Sequence, residues 1–401
     1  MSVELPFPDL QISGISCPHM RTRRGLPREP RILSISKRTD IPAFYLSWLL
    51  ERLDVGWVDV PNPMLAGQLR SIVEQFASVS DLRQSGRIAH RRALDEALQK
   101  APWGDAVHRD GQPLDRLVAQ ATTHVSLRQK DVRAVVWWSK NYAVYLRLAA
   151  EIDVYWKDVP QYFHFTINPR RPDLRWLEPD VPPLEESKRQ LRELAMRAGP
   201  HRISWRYDPL VFWRERGQLH SSWDRDFFEE MCSFCAELGV QTCVTSIADH
   251  YKKFVRRMKR FQPHLELVDP DETEIRRVAE EMGEVAGRYG IKLQACTESS
   301  LAQLHQYGFS PASCIDAEAL IGTNLGTASD RRFARRVSCG CHAHVDIGDY
   351  EWQECGYGCI YCYANPNHRY YPVRGEAHRR DRVDNSALAR PGAAEDTAER
   401  C

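Results

Sequence analysis

Along this chain, short apolar runs repeatedly end in a dense group of polar residues, and stretches of helical length fill the gaps. Ile32 to Ser36 ends at Lys37-Arg38-Thr39-Asp40-Ile41-Pro42, Trp57 to Val60 at Pro61-Asn62-Pro63, Ala134 to Trp138 at Ser139-Lys140-Asn141, and Tyr162 to Ile167 at Asn168-Pro169. Arg202 to Trp205 ends at Arg206-Tyr207-Asp208-Pro209, Thr242 to Ile247 at Ala248-Asp249, and Ile291 to Ala295 at Cys296-Thr297-Glu298. Runs of this length, bounded by proline, asparagine and aspartate, predict strands. Between them, Tyr45 to Leu53, Ala143 to Ile152, Leu184 to Ala198, Ser222 to Leu238, Tyr251 to Phe261, Asp271 to Tyr289 and Ser299 to Tyr307 predict helices. In Glu185 to Arg197, for example, Leu191, Leu194 and Ala195 share one side and charged residues the other.

Strands alternating with helices imply parallel pairing and right-handed crossovers. With Ala343 to Ile347 as a further strand the count reaches about eight, the number that closes a (β/α) barrel. The expected fold is therefore α/β, a complete or partial (β/α) barrel with a cysteine loop after the last strand; an open doubly wound sheet fits the same string. In a barrel the residues that follow the strands gather on one rim. Leu65 to Asp131 breaks the rhythm, with charged helical material at Leu82 to Lys100 and Leu114 to Ala121 and no strand before Val132. It reads as a helical insertion over about 65–131, either a lid or helical packing. Residues 1–30 read as a basic, proline-rich tail, 31–371 as the barrel with the cysteine cluster at 339–362, and 372–401 as a polar, disordered tail.

Charge adds little, because 55 basic and 54 acidic side chains leave a formal net charge of +1. Hydrophobic residues make up 43% of the 401, enough to bury a core. No run of about 18 apolar residues occurs, and residues 1–30 lack the apolar core of a signal peptide, so no membrane association and a cytoplasmic location are expected. Thiols stay reduced there, which makes clustered cysteines metal or Fe–S ligands rather than disulfides.

Cysteine placement changes the picture most. Five of the twelve cysteines fall within the 24 residues from Cys339 to Cys362. Cys355, Cys359 and Cys362 have the Cys-x3-Cys-x2-Cys spacing that lets a short loop, freed by Gly356 and Gly358, wrap three thiolates around one inorganic centre. Cys339 and Cys341, with Cys296 and Cys314, are candidates for a second site, auxiliary Fe–S or zinc, for which His342 and His344 are substitute ligands or hydrogen-bonding neighbours. Cys232 and Cys235 lie in a helix with Phe227, Met231 and Phe234 and read as core.

The Cys355 loop, with Tyr361 in the aromatic position, resembles the cluster signature of the radical S-adenosylmethionine (SAM) superfamily. The whole chain resembles an uncharacterised prokaryotic domain-of-unknown-function family whose C-terminal cysteine cluster is similar to that superfamily's N-terminal one. The matching pieces are Ser36 to Tyr45, Trp138 to Asn141, Trp205 to Pro209, Cys314 to Asp316, Val345 to Gly348 and Gly358 to Asn365. The resemblance implies a [4Fe–4S] cluster with one iron open to SAM, cleavage of SAM to a 5′-deoxyadenosyl radical, and an electron donor such as flavodoxin or ferredoxin. Superfamily members carry the loop after the first strand; here it follows the last, as a circular permutation would place it. Arg38, Thr39 and Asp40 then stand where the superfamily holds the SAM amino group, with Asp40 the candidate contact, although the usual glycine-rich motif is absent. A structural Arg38–Asp40 ion pair is the alternative.

Lys140, Asn141, Arg206 and Asp208, with Asn168, Asp249, Lys252 and Glu298, are candidate SAM or substrate contacts on the same rim. The basic runs Arg256 to Arg260 and Arg331 to Arg336 suit a nucleic acid or nucleotide substrate, or are solvated charge. Two other function classes stay open: a non-catalytic Fe–S or zinc module, structural or redox-sensing, with Cys339 or Cys341 as fourth ligand to the main centre, and a metal-dependent barrel hydrolase.

Overall fold

A computed structural model of the chain describes residues 31–65, 87–99, 120–322 and 339–364, together with positions 67, 69 and 118. The two expected tails, the basic run Arg331 to Arg336, and much of the expected insertion, including most of Leu114 to Ala121, lie outside the described residues.

The chain runs β1 (Arg31–Ile35), α1 (Ile41–Phe44), α2 (Leu46–Val55), β2 (Trp57–Pro61), α3 (Arg87–Gln99), β3 (Thr122–Ser126), β4 (Val132–Ser139), α4 (Ala143–Trp156), β5 (Gln161–Thr166) and α5 (Leu184–Ala198). It continues with β6 (Ile203–Leu210), β7 (Phe212–Glu215), β8 (Gln218–Ser221), α6 (Arg225–Leu238), β9 (Thr242–Ile247), α7 (Lys252–Phe261), β10 (Leu265–Leu267) and α8 (Glu272–Arg288). The last elements are β11 (Lys292–Ala295), α9 (Ser299–Ala302), β12 (Phe309–Pro311), α10 (Ala317–Ile321) and β13 (Val345–Asp346).

Eight strands form one parallel sheet in the order β12-β11-β9-β6-β5-β4-β1-β13. From β1 to β12 each new strand is laid beside the one before it, always in the same direction; the chain then returns to set β13 on the free side of β1. Alternate side chains point to opposite faces. Leu33, Val135, Trp137, Phe163, Phe165 and Trp205 pack with Leu49 of α2, Ile152 of α4, Leu191 of α5, Phe228 of α6 and Met282 of α8 in one core cluster. The other face carries Ile32, Ala134 and Val136, packed on Ile315, Ala317 and Leu320 from the segment after β12. The crossover helices thus share one face, whereas a doubly wound sheet places helices on both. Among the described residues no pairing joins β12 to β13, so closure into a barrel is not observed.

Two strand assignments are corrected. Trp57 to Val60 is a strand but stands outside the parallel sheet, pairing antiparallel with β3. Its Trp57 and Asp59 are half-buried and Asp59 meets His124 at 3.0 Å, so one face only is covered, whereas the sheet's inner strands are buried on both faces. The eighth place belongs to the three-residue β12, and β3 lies within the stretch expected to hold no strand.

Within that stretch α3 is ordinary packing. The Arg91 guanidinium lies 4.9 Å from the Trp48 ring centre, Trp48 Nε1 donates to Asp95 at 2.6 Å, and Leu94 packs with Trp352 from the segment that leads into the cysteine loop. No helix among the described residues is long and apolar enough to cross a membrane.

Candidate metal centre

The cysteine loop is positioned from the pairing of β13 with β1. Ser34 Oγ and Ser36 Oγ donate to the two oxygens of Asp346 at 2.8 and 2.6 Å, and Lys37 N donates to the same carboxylate at 2.7 Å. Just beyond, a Cβ on Gly348 would stand 1.8 Å from Ser36 Oγ, so only glycine lets the two strand ends approach this closely.

Over the C-terminal ends of the strands, Cys355, Cys359 and Cys362 share one packed cluster with Ala43, Phe44, Val181, Tyr357 and Tyr361. Cys359 is buried and the other two are half-buried. The loop is held by Ile360 N donating to Leu177 O (3.0 Å), Asp180 N donating to Tyr357 O (3.2 Å), and the Tyr363 hydroxyl donating to Lys37 O (2.8 Å). Gly358, at φ 65°, takes the left-handed turn in front of Cys359. From α7, the buried Arg257 donates to Ile360 O at 3.1 Å and Cys362 O at 2.5 Å. Burial, and then the nearby negative charge of Glu178, pushes the Cys359 thiol well above its usual value. Burial also lowers Arg257, an effect that thiolates at Cys362 and Cys359 oppose. Three soft donors packed together over a buried cation fit an Fe–S cluster by donor chemistry and by charge. Among the described residues, no group of three or more His, Cys, Asp or Glu side chains is gathered closely enough to hold a single metal ion as it stands.

Glu178, which the sequence pattern did not single out, is the polar hub beneath the loop. It accepts from Lys140 Nζ at 2.8 Å, Asn168 Nδ2 at 2.7 Å, Arg170 at 2.7 Å and the Tyr361 hydroxyl. Burial raises its carboxyl, but Lys140 and Arg170 outweigh that and hold it at about 2. The sequence signal was weak, a lone acid between Leu177 and Pro179 outside any motif.

Several of the expected rim residues are bonded near here, mostly in contacts of their own, whereas Lys252 is exposed and Glu298 accepts from Ser300. Asp40 is buried, accepts from Ala43 N (3.0 Å), Ser139 Oγ (2.8 Å) and Lys140 N (2.9 Å), and is raised to about 6, burial outweighing these bonds. Arg38 donates to Pro61 O and Gly348 O and lies 4.0 Å from Asp346, so Arg38 and Asp40 have separate partners and the alternative of an Arg38–Asp40 pair is not observed among the described residues. The buried Thr39 hydroxyl has no hydrogen-bond partner among the described residues. Asn141 Oδ1 accepts from Ala143 N at the start of α4. Arg206 pairs with Asp208 at 2.8 Å, lies 5.2 Å from the Trp138 ring centre and donates to Cys314 Sγ at 3.2 Å. Within the basic run of α7, Arg257 turns inward to the loop while Arg256, Lys259 and Arg260 are exposed.

The other four candidate cysteines form a second group. Cys314 Sγ lies 3.5 Å from Cys296 Sγ. The neighbouring Cys341 thiol is the main cause that holds Cys339 down at about 6. Val244, Ala312 and Trp138 pack with Cys296, Cys314 and Cys341, apart from the cluster around Cys359. His342 is occupied by Ala317 N, and His344 lies 2.7 Å from Lys37 Nζ. Cys232 and Cys235 are fully buried in α6 among core residues.

The family described as "Domain of unknown function (DUF1848)" matches residues 32–83 and 114–364. The chain belongs to this family. No curated protein matches it. Among solved structures, a crystal structure of D-hydantoinase is similar at 9% identity and a TM-score of 0.24, over 45% of this chain. The likeness spans 38% of the length of that protein.

Proposed function

We propose that this chain is a radical SAM-type enzyme that binds a [4Fe–4S] cluster through Cys355, Cys359 and Cys362, on a sheet that is a partial (β/α) barrel with permuted strand order. One observation carries the reading: the three thiols are packed together on a loop that follows β13, and β13 pairs with β1. One-directional strand order, with the crossover helices on one face, supports the barrel part.

When bound, such a cluster supplies the electron for reductive cleavage of SAM, drawn from a donor such as flavodoxin or ferredoxin. The chain's own residues do the rest. Arg257 braces the loop by two carbonyls and offsets thiolate charge. Tyr361, tied to Glu178, fixes the segment between Cys359 and Cys362. Asp40 spends its carboxylate on Ser139 and two backbone N–H groups and so positions Lys140. Thr39, beyond the end of β1, has a buried hydroxyl with no hydrogen-bond partner among the described residues and would be free to meet SAM. Arg256, Lys259 and Arg260 give a nucleotide or nucleic acid substrate a basic approach.

In a non-catalytic module Cys339 or Cys341 completes the main centre, yet Cys341 packs with Cys314 and Cys296 in a cluster separate from that of Cys359. The test is anaerobic reconstitution with iron and sulfide, followed by dithionite and SAM. Wild-type protein releases 5′-deoxyadenosine and Cys359→Ala does not. An intact cluster that never cleaves SAM with any reductant refutes the reading.

A further inference from the structure

We propose that Cys296, Cys314, Cys339 and Cys341 bind one zinc ion that clasps together the two edges of the parallel sheet. Cys296 follows β11 and Cys314 follows β12, at one edge of the sheet; Cys339 and Cys341 precede β13, the strand at the other edge. These two edges are not joined by strand pairing among the described residues. They meet instead at this point: Ser313 Oγ donates to Gly340 O at 2.9 Å, His342 N donates to Ile315 O at 2.8 Å, and Ala317 N donates to His342 Nδ1 at 2.9 Å. The approach is close at Gly340, where a Cβ would stand 3.0 Å from Ala312 O.

Sulfur spacing selects a single ion. Zinc–sulfur bonds of about 2.3 Å at tetrahedral angles put the sulfurs about 3.8 Å apart. Cys296 and Cys314 already stand at 3.5 Å, and Cys341 packs with both in one cluster, with Cys339 two residues further back on the same segment. A cubane needs its outer thiolates much further apart than this. The four sulfurs are not gathered around one point as they stand, and a tetrahedron forms when Cys339 and Cys341, a Cys-x-Cys pair on one segment, turn in toward Cys296 and Cys314.

Charge and surroundings fit as well. Four thiolates on Zn2+ carry a formal net charge of about −2, which an enclosed site has to offset. The Arg206 guanidinium lies 3.2 Å from Cys314 Sγ, and Lys37 acts electrostatically on both Cys339 and Cys341. The buried His164 donates through Nε2 to Cys314 O at 2.7 Å, fixing the backbone that carries this sulfur. The clasp is independent of the radical SAM reading, because none of its ligands belongs to the 355–362 loop.

The test uses the full chain with Cys355, Cys359 and Cys362 all changed to Ala, purified anaerobically without chelators. Metal analysis should find about one zinc per chain, falling at least about tenfold when Cys314→Ser or Cys341→Ser is added. Should those variants fail to fold, alkylation followed by mass spectrometry decides on the unsubstituted cysteines: all four resist modification until a chelator strips the zinc, and thermal unfolding then moves to lower temperature. Absence of zinc, zinc retained in both serine variants, iron and sulfide in its place, or a Cys296–Cys314 disulfide in anaerobic protein each overturns the clasp. Failure of the wild type to cleave SAM leaves it standing.

Discussion

The Tyr361 hydroxyl donates to the Glu178 carboxylate, so one of the two residues between the second and third loop cysteines is fastened to the segment that follows β5. Lys140 adds to the same contact, its Nζ bonded to Glu178 and 5.7 Å from the Tyr361 ring centre. Loop, strand end and acid therefore form one unit, and it can be taken apart one group at a time. Glu178→Ala leaves Lys140 and Arg170 without their shared counter-charge, a loss of about 3 kcal/mol. Tyr361→Phe removes one hydrogen bond and keeps the ring, costing about 1 kcal/mol. Urea denaturation should show both midpoints falling in that order with unchanged slope; equal effects would remove Glu178 from the centre of the unit.

Two carboxyls make opposite contributions to the pH dependence of stability. Glu178 is held at about 2, below its ordinary 4.5, so the unfolded chain binds its proton more readily. Its contribution is complete above pH 4.5 and is lost as pH falls toward 2. Asp40 is raised to about 6 from 3.8, so the folded chain holds that proton more readily and stability declines as pH rises from about 4 to 6. Each shift corresponds to about 3 kcal/mol. Unfolding measured across pH 2–7 should lose the lower slope in Glu178→Gln and the upper one in Asp40→Asn. Wild-type slopes in either variant would show that another group titrates there.

What the sequence revealed depended on how much each element stated locally. Leu184 to Ala198 was legible to the residue, because Leu191, Leu194 and Ala195 sit at helical spacing on a charged background. The cysteine loop was legible from spacing, and Cys296, Cys314 and Cys341, separated in the chain, pack in one cluster. β12 was not: three residues ending in Pro311 carry no periodicity, and only pairing with β11 makes them a strand. β3, Thr-Thr-His-Val-Ser, is polar because it pairs only with β2, outside the main sheet. Glu178 acquires its role from four side chains distant in sequence or shape, and no local pattern encodes such a meeting. Asp40 reads as a ligand by position, yet the turn into α1 uses it as a cap.

Gly348 sets how closely the loop's strand can approach β1. A methyl group there would lie 1.8 Å from Ser36 Oγ and 2.6 Å from Ser36 Cβ. Gly348→Ala should therefore cost about 1–3 kcal/mol, the range for overpacking. Ser36→Gly deletes both obstructing atoms, at the loss of one bond to Asp346 and one from Arg38 N. In a double-mutant cycle the combined variant should be more stable than the sum of the two single changes predicts. Additive losses would place the strain elsewhere.

Arg257 tests whether the loop is braced for its cluster. Its guanidinium reaches Ile360 O and Cys362 O, the carbonyls on either side of Tyr361, and is buried where an anionic thiolate group would need compensation. Arg257→Ala removes both bonds and the charge, about 2 kcal/mol of support for the loop. Arg257→Lys keeps the charge but can span only one carbonyl well, and it should fall between wild type and alanine. The exposed neighbour Arg256→Ala controls for helix charge. After anaerobic reconstitution, iron and sulfide per chain should decline in the order wild type, Lys, Ala, with Arg256→Ala at the wild-type value. Full cluster content in Arg257→Ala, with the far-UV circular dichroism of the wild type, would show that the loop holds its cluster without the brace.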